Sequence, residues 1–247
     1  MEKILEIKNL KKKYEGKLVH KGINFYLLNG ETLGLLGYSG SGKSVLLRSI
    51  IGLEDIDAGE VLYHNQRIDN LKEKELFNIR TKISYAFQSG ALFDSISVFE
   101  NIAYPLLEHT DLSEQQIEKK VLEILSLIGL SEARDLMPSD LSGGMQKRAG
   151  LARSIALNPE ILLYDEPTAG LDPVNVDLIL DVIKTFKSKG IASIFVTHDI
   201  SAAKKVCDRV LLIKEGEIYF VGTIPEFEMS QDSYIRSFSM GTMKEKL

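Results

Sequence analysis

Residues 37 to 44 run Gly37-Tyr38-Ser39-Gly40-Ser41-Gly42-Lys43-Ser44, a spacing of glycine, lysine and hydroxyl that suits a polyphosphate. The glycines let the backbone curl so that successive N–H groups face phosphate oxygens. Tyr38, Ser39 and Ser41 complete the loop. Val45 opens an apolar helical run to Gly52, whose positive end favours the same anion. Lys43 would neutralise the β- and γ-phosphates, and the Ser44 hydroxyl would ligate Mg²⁺. A strand expected from Thr32 to Leu36 delivers the loop, which is the context such a motif requires.

Two further clusters extend this chemistry. The apolar run Ile161-Leu162-Leu163-Tyr164 ends in Asp165-Glu166, placing two carboxylates at the carboxyl edge of a parallel sheet, where ligands of α/β proteins gather. Asp165 would hold Mg²⁺ through its water shell, and Glu166 would orient and deprotonate an attacking water. Alone, such a pair is more often a solvated turn; the phosphate loop upstream favours the functional reading. Leu141-Ser142-Gly143-Gly144-Met145-Gln146 precedes a helical run through Leu157. Ser142, Gly143 and Gly144 at a helix start offer a hydroxyl and backbone N–H groups to a second phosphate.

With these three segments in this order, the chain resembles the ABC ATPases along essentially its whole length. The family usually has Gln where this chain has Met145, a departure that leaves Ser142 and Gly144 intact. The resemblance implies ATP and Mg²⁺ as ligands and hydrolysis of ATP as the reaction. It places Tyr14 against adenine, although an ordinary strand tyrosine is the alternative. It gives Gln88 to the Mg²⁺ or the water, and His198 to the γ-phosphate. Asp172, in Ala169-Gly170-Leu171-Asp172, would cross between subunits or simply cap a helix. Two half-sites imply a homodimer, in which Lys43 and Glu166 of one copy face Ser142 and Gly144 of the other.

Gln88-Ser89-Gly90-Ala91-Leu92-Phe93-Asp94, Val98-Phe99-Glu100-Asn101-Ile102-Ala103-Tyr104-Pro105-Leu106 and Tyr164-Asp165-Glu166-Pro167-Thr168-Ala169-Gly170 are similar to the ATPases of bacterial MCE-type, Mla-like phospholipid transporters. That resemblance implies a separate integral-membrane permease, an MCE lipid-binding protein and, in some systems, a small STAS-domain partner. It places the chain peripherally on the cytoplasmic side of the inner membrane. Leu92, Phe93 and Phe99 would form a socket for a permease helix or pack their own lobe. An amino-acid or metal importer, a soluble ABC ATPase outside transport and a P-loop nucleotide kinase are the competing readings. The last has no use for Ser142.

These residues need an α/β scaffold. Short strands and turns fill the first part: Ile4 to Ile7, Val19 to Leu28, a hairpin turn at Asn29-Gly30, then Thr32 to Leu36. Glu60 to Tyr63 and Ile83 to Phe87 follow as strands. From about Ser97 to Leu157 helical periodicity takes over, with a capping box at Ser113 and Gln116 and Ile117, Val121, Ile124, Leu125 and Ile128 on one face. Gly129 is placed to end that helix. Alternation then resumes with a helix opened by Asp172-Pro173, a strand from Ile191 to Val196, a short helix from Ile200 and a hairpin across Glu215-Gly216.

The expected fold is a P-loop NTPase (RecA-like) core with an N-terminal antiparallel β edge and an inserted α-helical subdomain. Residues 1–88 and 158–230 form the core, 89–157 the helical insert and 231–247 a C-terminal extension. In that extension Tyr234, Ile235 and Phe238 fall at helical spacing and are expected to dock on a second ATPase subunit or a small regulatory partner, a frayed terminus being the alternative. The 247 residues carry a formal charge of −5, and no basic tract exceeds Lys11 to Lys13, so no nucleic-acid partner is expected. No run approaches the roughly 18 apolar residues of a membrane helix. Cys207 is alone, which excludes an intramolecular disulfide, and it reads as a small buried residue.

Overall fold

The structure, a computed structural model, describes residues 2–240. Two sheets and their helices divide the work of the sequence. The smaller sheet has the order β2-β1-β4-β5. Its hairpin of β1 (Lys3–Tyr14) and β2 (Lys17–Leu28) closes over Glu15-Gly16, both with positive φ, as a two-residue turn between twisted strands demands. On its other side β1 pairs antiparallel with β4 (Ala58–Tyr63), and β5 (Gln66–Arg67) completes the sheet.

The larger sheet has the order β10-β9-β3-β8-β7-β6. In it β9 (Arg209–Lys214), β3 (Thr32–Leu36), β8 (Ala192–Thr197), β7 (Ile161–Asp165) and β6 (Ile83–Ala86) pair in parallel, and β10 (Glu217–Thr223) is an antiparallel edge. The strands β3, β7 and β8 are buried at every position, as strands covered on both faces must be. Alternate residues serve opposite cores. Leu33, Leu35, Ile161, Leu163, Ile194 and Val196 pack toward the smaller sheet and α1 (Lys43–Ile50), while Leu36, Leu162, Tyr164 and Phe195 pack toward the helices.

The expected hairpin at Asn29-Gly30 is corrected. A turn does form there, with Glu31 N donating to the Leu28 carbonyl at 3.1 Å, but β2 and β3 belong to different sheets. The reason is patterning: β2 alternates buried and exposed residues and suits a one-sided antiparallel sheet, whereas β3 is buried at every position and needs cover on both faces. The first strand is also longer than Ile4 to Ile7, because Leu10 continues the buried face while Lys8 and Lys13 on either side of it stay in solvent.

Helix α2 (Glu73–Lys82) leads into β6. Three helices then follow: α3 (Val98–His109), α4 (Glu114–Leu127) and α5 (Gly143–Ile155). The capping box at Ser113 and Gln116 forms, and Ile117, Val121, Ile124, Leu125 and Ile128 are all buried. Asp172 caps α6 (Pro173–Ser188), Asp199 caps α7 (Ile200–Val206), and the hairpin at Glu215-Gly216 joins β9 to β10. Cys207 is buried.

After α8 (Ile224–Glu228), the short α9 (Ser233–Ser239) is capped by Asp232. The expected docking of Tyr234, Ile235 and Phe238 on another subunit is corrected here: they seat on the chain's own body. Ile235 and Phe238 are buried, the Phe238 ring meets Tyr38 edge-on at 5.0 Å, and Tyr234 lies 4.9 Å from Tyr219. Lys214 Nζ stands 3.9 Å from the Tyr234 ring centre. Physically, a seven-residue helix gains its stability from any apolar seat within reach, and here the nearest is in the same chain. Residues 241–247 of the expected extension lie outside the described residues. Replacing Phe238 by Ala should cost about 3 kcal/mol in urea unfolding, the usual loss for emptying a buried aromatic site. An unchanged unfolding curve would show that α9 does not hold this seat in solution.

Candidate nucleotide site

The carboxyl ends of β3, β7 and β8 lie side by side, and each delivers a different piece of chemistry. The first runs into the phosphate loop and α1, the second ends in Asp165 and Glu166, and the third ends just before His198. Among the loop glycines, Gly42 most clearly requires its residue type. Its φ is +91°, and a Cβ would come within 2.7 Å of Val19 and 2.8 Å of His20. Gly37 packs against the Ser41 side chain on the loop's inner side, where a Cβ would meet Oγ at 2.6 Å.

A cleft of about 710 Å³ opens over the loop, lined by Tyr14, Tyr38, Ser39, Gly40, Gly42, Lys43, Ser44, Val45, Gln88, Glu166 and His198 together with Val19, Ala169 and Phe238. Most residues expected to bind nucleotide therefore meet in one place. Lys43 donates to the carbonyls of Gly37 at 2.8 Å and Tyr38 at 3.0 Å, and its Nζ lies 3.7 Å from Glu166 Oε1. Burial pushes its pKa down, and the carboxylates of Glu166 and Asp165 oppose that shift. Glu166 sits in the left-handed region at φ +48°, an uncommon conformation for a residue with a side chain and one that gathers at functional sites. Its Oε2 is 2.9 Å from His198 Nδ1.

Asp165 lies behind the cleft wall and not in it. The Ser44 hydroxyl donates to its Oδ1 at 2.8 Å, and the Tyr85 phenol donates to its Oδ2 at 2.6 Å. A hydroxyl oxygen beside a carboxylate is a hard-oxygen pair suited to Mg²⁺, which takes one or two protein ligands and completes its shell with water and phosphate. Among the described residues no cluster of three or more His, Cys, Asp or Glu could hold a metal by itself. The donor set fits a cation that arrives with its nucleotide.

Ser142, Gly143, Gly144 and Asp172 do not line this cleft. Ser142 caps α5, accepting from Met145 N at 3.4 Å, and both it and Gly143 are exposed. Gly144 is buried, and any Cβ there would collide with the Asn175 side chain. The Asp172 carboxylate accepts from Val174 N, Asn175 N and Asn175 Nδ2 at 3.0, 3.1 and 2.6 Å, which holds its pKa below the usual carboxylate range, with the Asn175 side chain the main cause. Lys147 of α5 donates to the Ala169 carbonyl and so ties the helical part to the segment that follows Glu166.

Sequence reasoning missed four contributors. His20 is fully buried in β2, with Nε2 3.1 Å from the Gly42 carbonyl. Burial lowers its pKa, so it buttresses the loop as a neutral imidazole. Only its inward position in an alternating strand hinted at this. Tyr85 had the signal of lying three residues before Gln88. Phe238 and Lys147 reach the site through tertiary packing that no local pattern encodes.

A model of the ABC transporter family matches residues 20–169. The chain is 38% identical over 241 residues to the intermembrane phospholipid transport system ATP-binding protein MlaF of Haemophilus influenzae, covering 97% of this chain and 91% of that protein. It is also 38% identical over 234 residues to the methionine import ATP-binding protein MetN of Clostridioides difficile, covering 94% and 73% respectively. The fold superposes with a TM-score of 0.83 on a dimeric post-hydrolysis state of the ATP-binding cassette MJ0796 bound to ADP and Pi, at 32% identity over 89% of this chain and 98% of that one. No helix among the described residues is long and apolar enough to cross a membrane. With its phosphate loop, its paired carboxylates and the capped helix at Ser142 all in place on that fold, the chain belongs to the ABC transporter family as an ATP-hydrolysing subunit.

Proposed function

We propose that this chain powers bacterial envelope phospholipid transport, acting as a homodimer beneath a separate integral-membrane permease on the cytoplasmic side of the inner membrane. An MCE lipid-binding protein receives or supplies the lipid, and a small STAS-domain protein is a further candidate partner. The observation that carries the dimer is the placement of Ser142 and Gly143. They cap a helix N-terminus, a ready site for phosphate, yet they stand outside the cleft that holds Lys43 and Glu166. A second copy supplies what each cleft lacks.

The residues then divide the labour. Tyr14 offers its ring to the adenine at the rim, where it is 39% exposed. Lys43 exchanges the two loop carbonyls for phosphate oxygens, a trade of neutral acceptors for anionic ones. Gly37 to Val45 present backbone N–H groups. Ser44, Asp165 and Gln88 are the residues that would hold Mg²⁺, which supplies charge neutralisation on the transferred phosphoryl group. Glu166 accepts the proton of the attacking water, with His198 fixing one of its oxygens and reaching the γ-phosphate side. Asp172 lies where the two copies meet. Positioning and charge stabilisation suffice for phosphoryl transfer to water, and no covalent intermediate is needed.

The phospholipid cargo is supported by the Ser89 to Asp94 wording, by Met145 and by the MlaF relative. The MetN relative keeps methionine import as the competing reading, since it is equally identical. A deletion strain should show disturbed envelope lipid distribution and detergent sensitivity. Normal envelope lipids with a specific methionine uptake defect would overturn the cargo assignment.

Two mutational outcomes test the site. Glu166→Gln should bind Mg-ATP but turn it over at least about a hundred-fold more slowly, the scale of a lost general base, while Lys43→Ala should lose nucleotide affinity instead. Steady-state hydrolysis at the parental rate in Glu166→Gln would remove Glu166 from its role. Mixing Lys43→Ala chains with Ser142→Arg chains should restore part of the activity, because one composite site of the heterodimer then carries neither lesion. Proven heterodimers without recovery would contradict the shared site.

A further inference from the structure

The strand β6 has no part in the phosphate loop or the acidic pair, yet its third residue reaches Asp165 behind the cleft wall. Tyr85 pairs in register with Leu163 of β7. Its phenol crosses to Asp165 Oδ2 at 2.6 Å, while Ser44 occupies Oδ1 at 2.8 Å. Asp165 is 7% exposed, so water contributes little to its solvation and these two hydroxyls carry the hydrogen bonding. They differ in what they can do. Ser44 also serves the metal side of the loop, whereas Tyr85 is half-buried on the edge strand β6, its ring against Phe87 at 4.5 Å.

We propose that Tyr85 is a positioning residue for the hydrolysis site, one that clamps Asp165 Oδ2 and thereby keeps Oδ1 turned toward Ser44 and the incoming cation. The proposal rests on Asp165 being the carboxylate that serves Mg²⁺. A carboxylate with both oxygens free would rotate or bind the cation through either one; with Oδ2 committed, a single oxygen and a single geometry remain. Outer partners of this kind orient metal-binding carboxylates, and losing one typically weakens the metal ten-fold or more.

The test uses Tyr85→Phe, which keeps the ring and its packing on Phe87 and removes only the hydroxyl. Binding of a fluorescent ATP analogue is titrated against Mg²⁺, with a parallel titration in EDTA. The Mg²⁺ concentration for half-maximal enhancement of binding should rise on the order of ten-fold, with the affinity in EDTA unchanged. An unmoved Mg²⁺ midpoint, or an equal loss of affinity in EDTA, would overturn the proposal, the second because it marks a general packing role. Asp165→Asn separates the two layers of the argument. If it abolishes the Mg²⁺ enhancement while Tyr85→Phe leaves the midpoint alone, the clamp falls and the role of Asp165 stands. If Asp165→Asn keeps the enhancement, both fall.

Discussion

The Lys43 ammonium is the positive charge around which the nucleotide end of this molecule is organised. It sits at the carboxyl edge of the parallel sheet, 3.7 Å from Glu166 and bonded to two carbonyls of its own loop. Burial penalises it, and the two acidic residues at the end of β7 offset that penalty. Those carboxylates in turn tolerate each other because each has a separate set of partners: Ser44 and Tyr85 for Asp165, His198 and Lys43 for Glu166. The consequence is a loop already curled around a cation, with its acceptors held by groups that a triphosphate can replace. That is preorganisation in the sense that matters for phosphoryl transfer, where placed charge does most of the work.

The requirement to hold this charge cluster explains the fold around it. Three parallel strands buried on both faces end at the same edge, and their alternating residues are locked into two separate cores. Ser44 and Asp165 lie 121 positions apart in the chain, so no local rearrangement can bring the phosphate loop to the acidic pair. Lys147 reaches the Ala169 carbonyl, and Arg153 of α5 donates to the Ala91 carbonyl at 2.6 Å, beside the Gln88 segment. Both links join α5 to segments that flank the cleft. A change in the cleft therefore has a physical route to the helix that carries Ser142.

Much of this was legible in the sequence because it is encoded locally. The phosphate loop, the acidic pair after an apolar strand and the Ser-Gly-Gly helix start are contiguous motifs, and their order along the chain gave the fold class. The capping box at Ser113 was equally readable. What escaped was tertiary. Asn29-Gly30 has hairpin chemistry, but the choice of sheet for Thr32 to Leu36 depends on β8 and β9, whose residues lie far away in the chain. Tyr234, Ile235 and Phe238 have an apolar face that the sequence reveals, yet the seat beside Tyr38 exists only in the folded body. His20 and Tyr85 look like ordinary strand residues until the polar atoms opposite them are known.

The claim on which the account turns is that one cleft is half a site and that Lys43 gives up its loop carbonyls to the nucleotide. A crystal structure of the Glu166→Gln protein grown with Mg-ATP tests both together. The account predicts two chains enclosing the nucleotide, with Lys43 Nζ moved from Gly37 and Tyr38 onto phosphate oxygens and Ser142 of the partner subunit against the γ-phosphate. ATP bound in a single chain, with Ser142 in solvent and Lys43 still on its own loop, would contradict it.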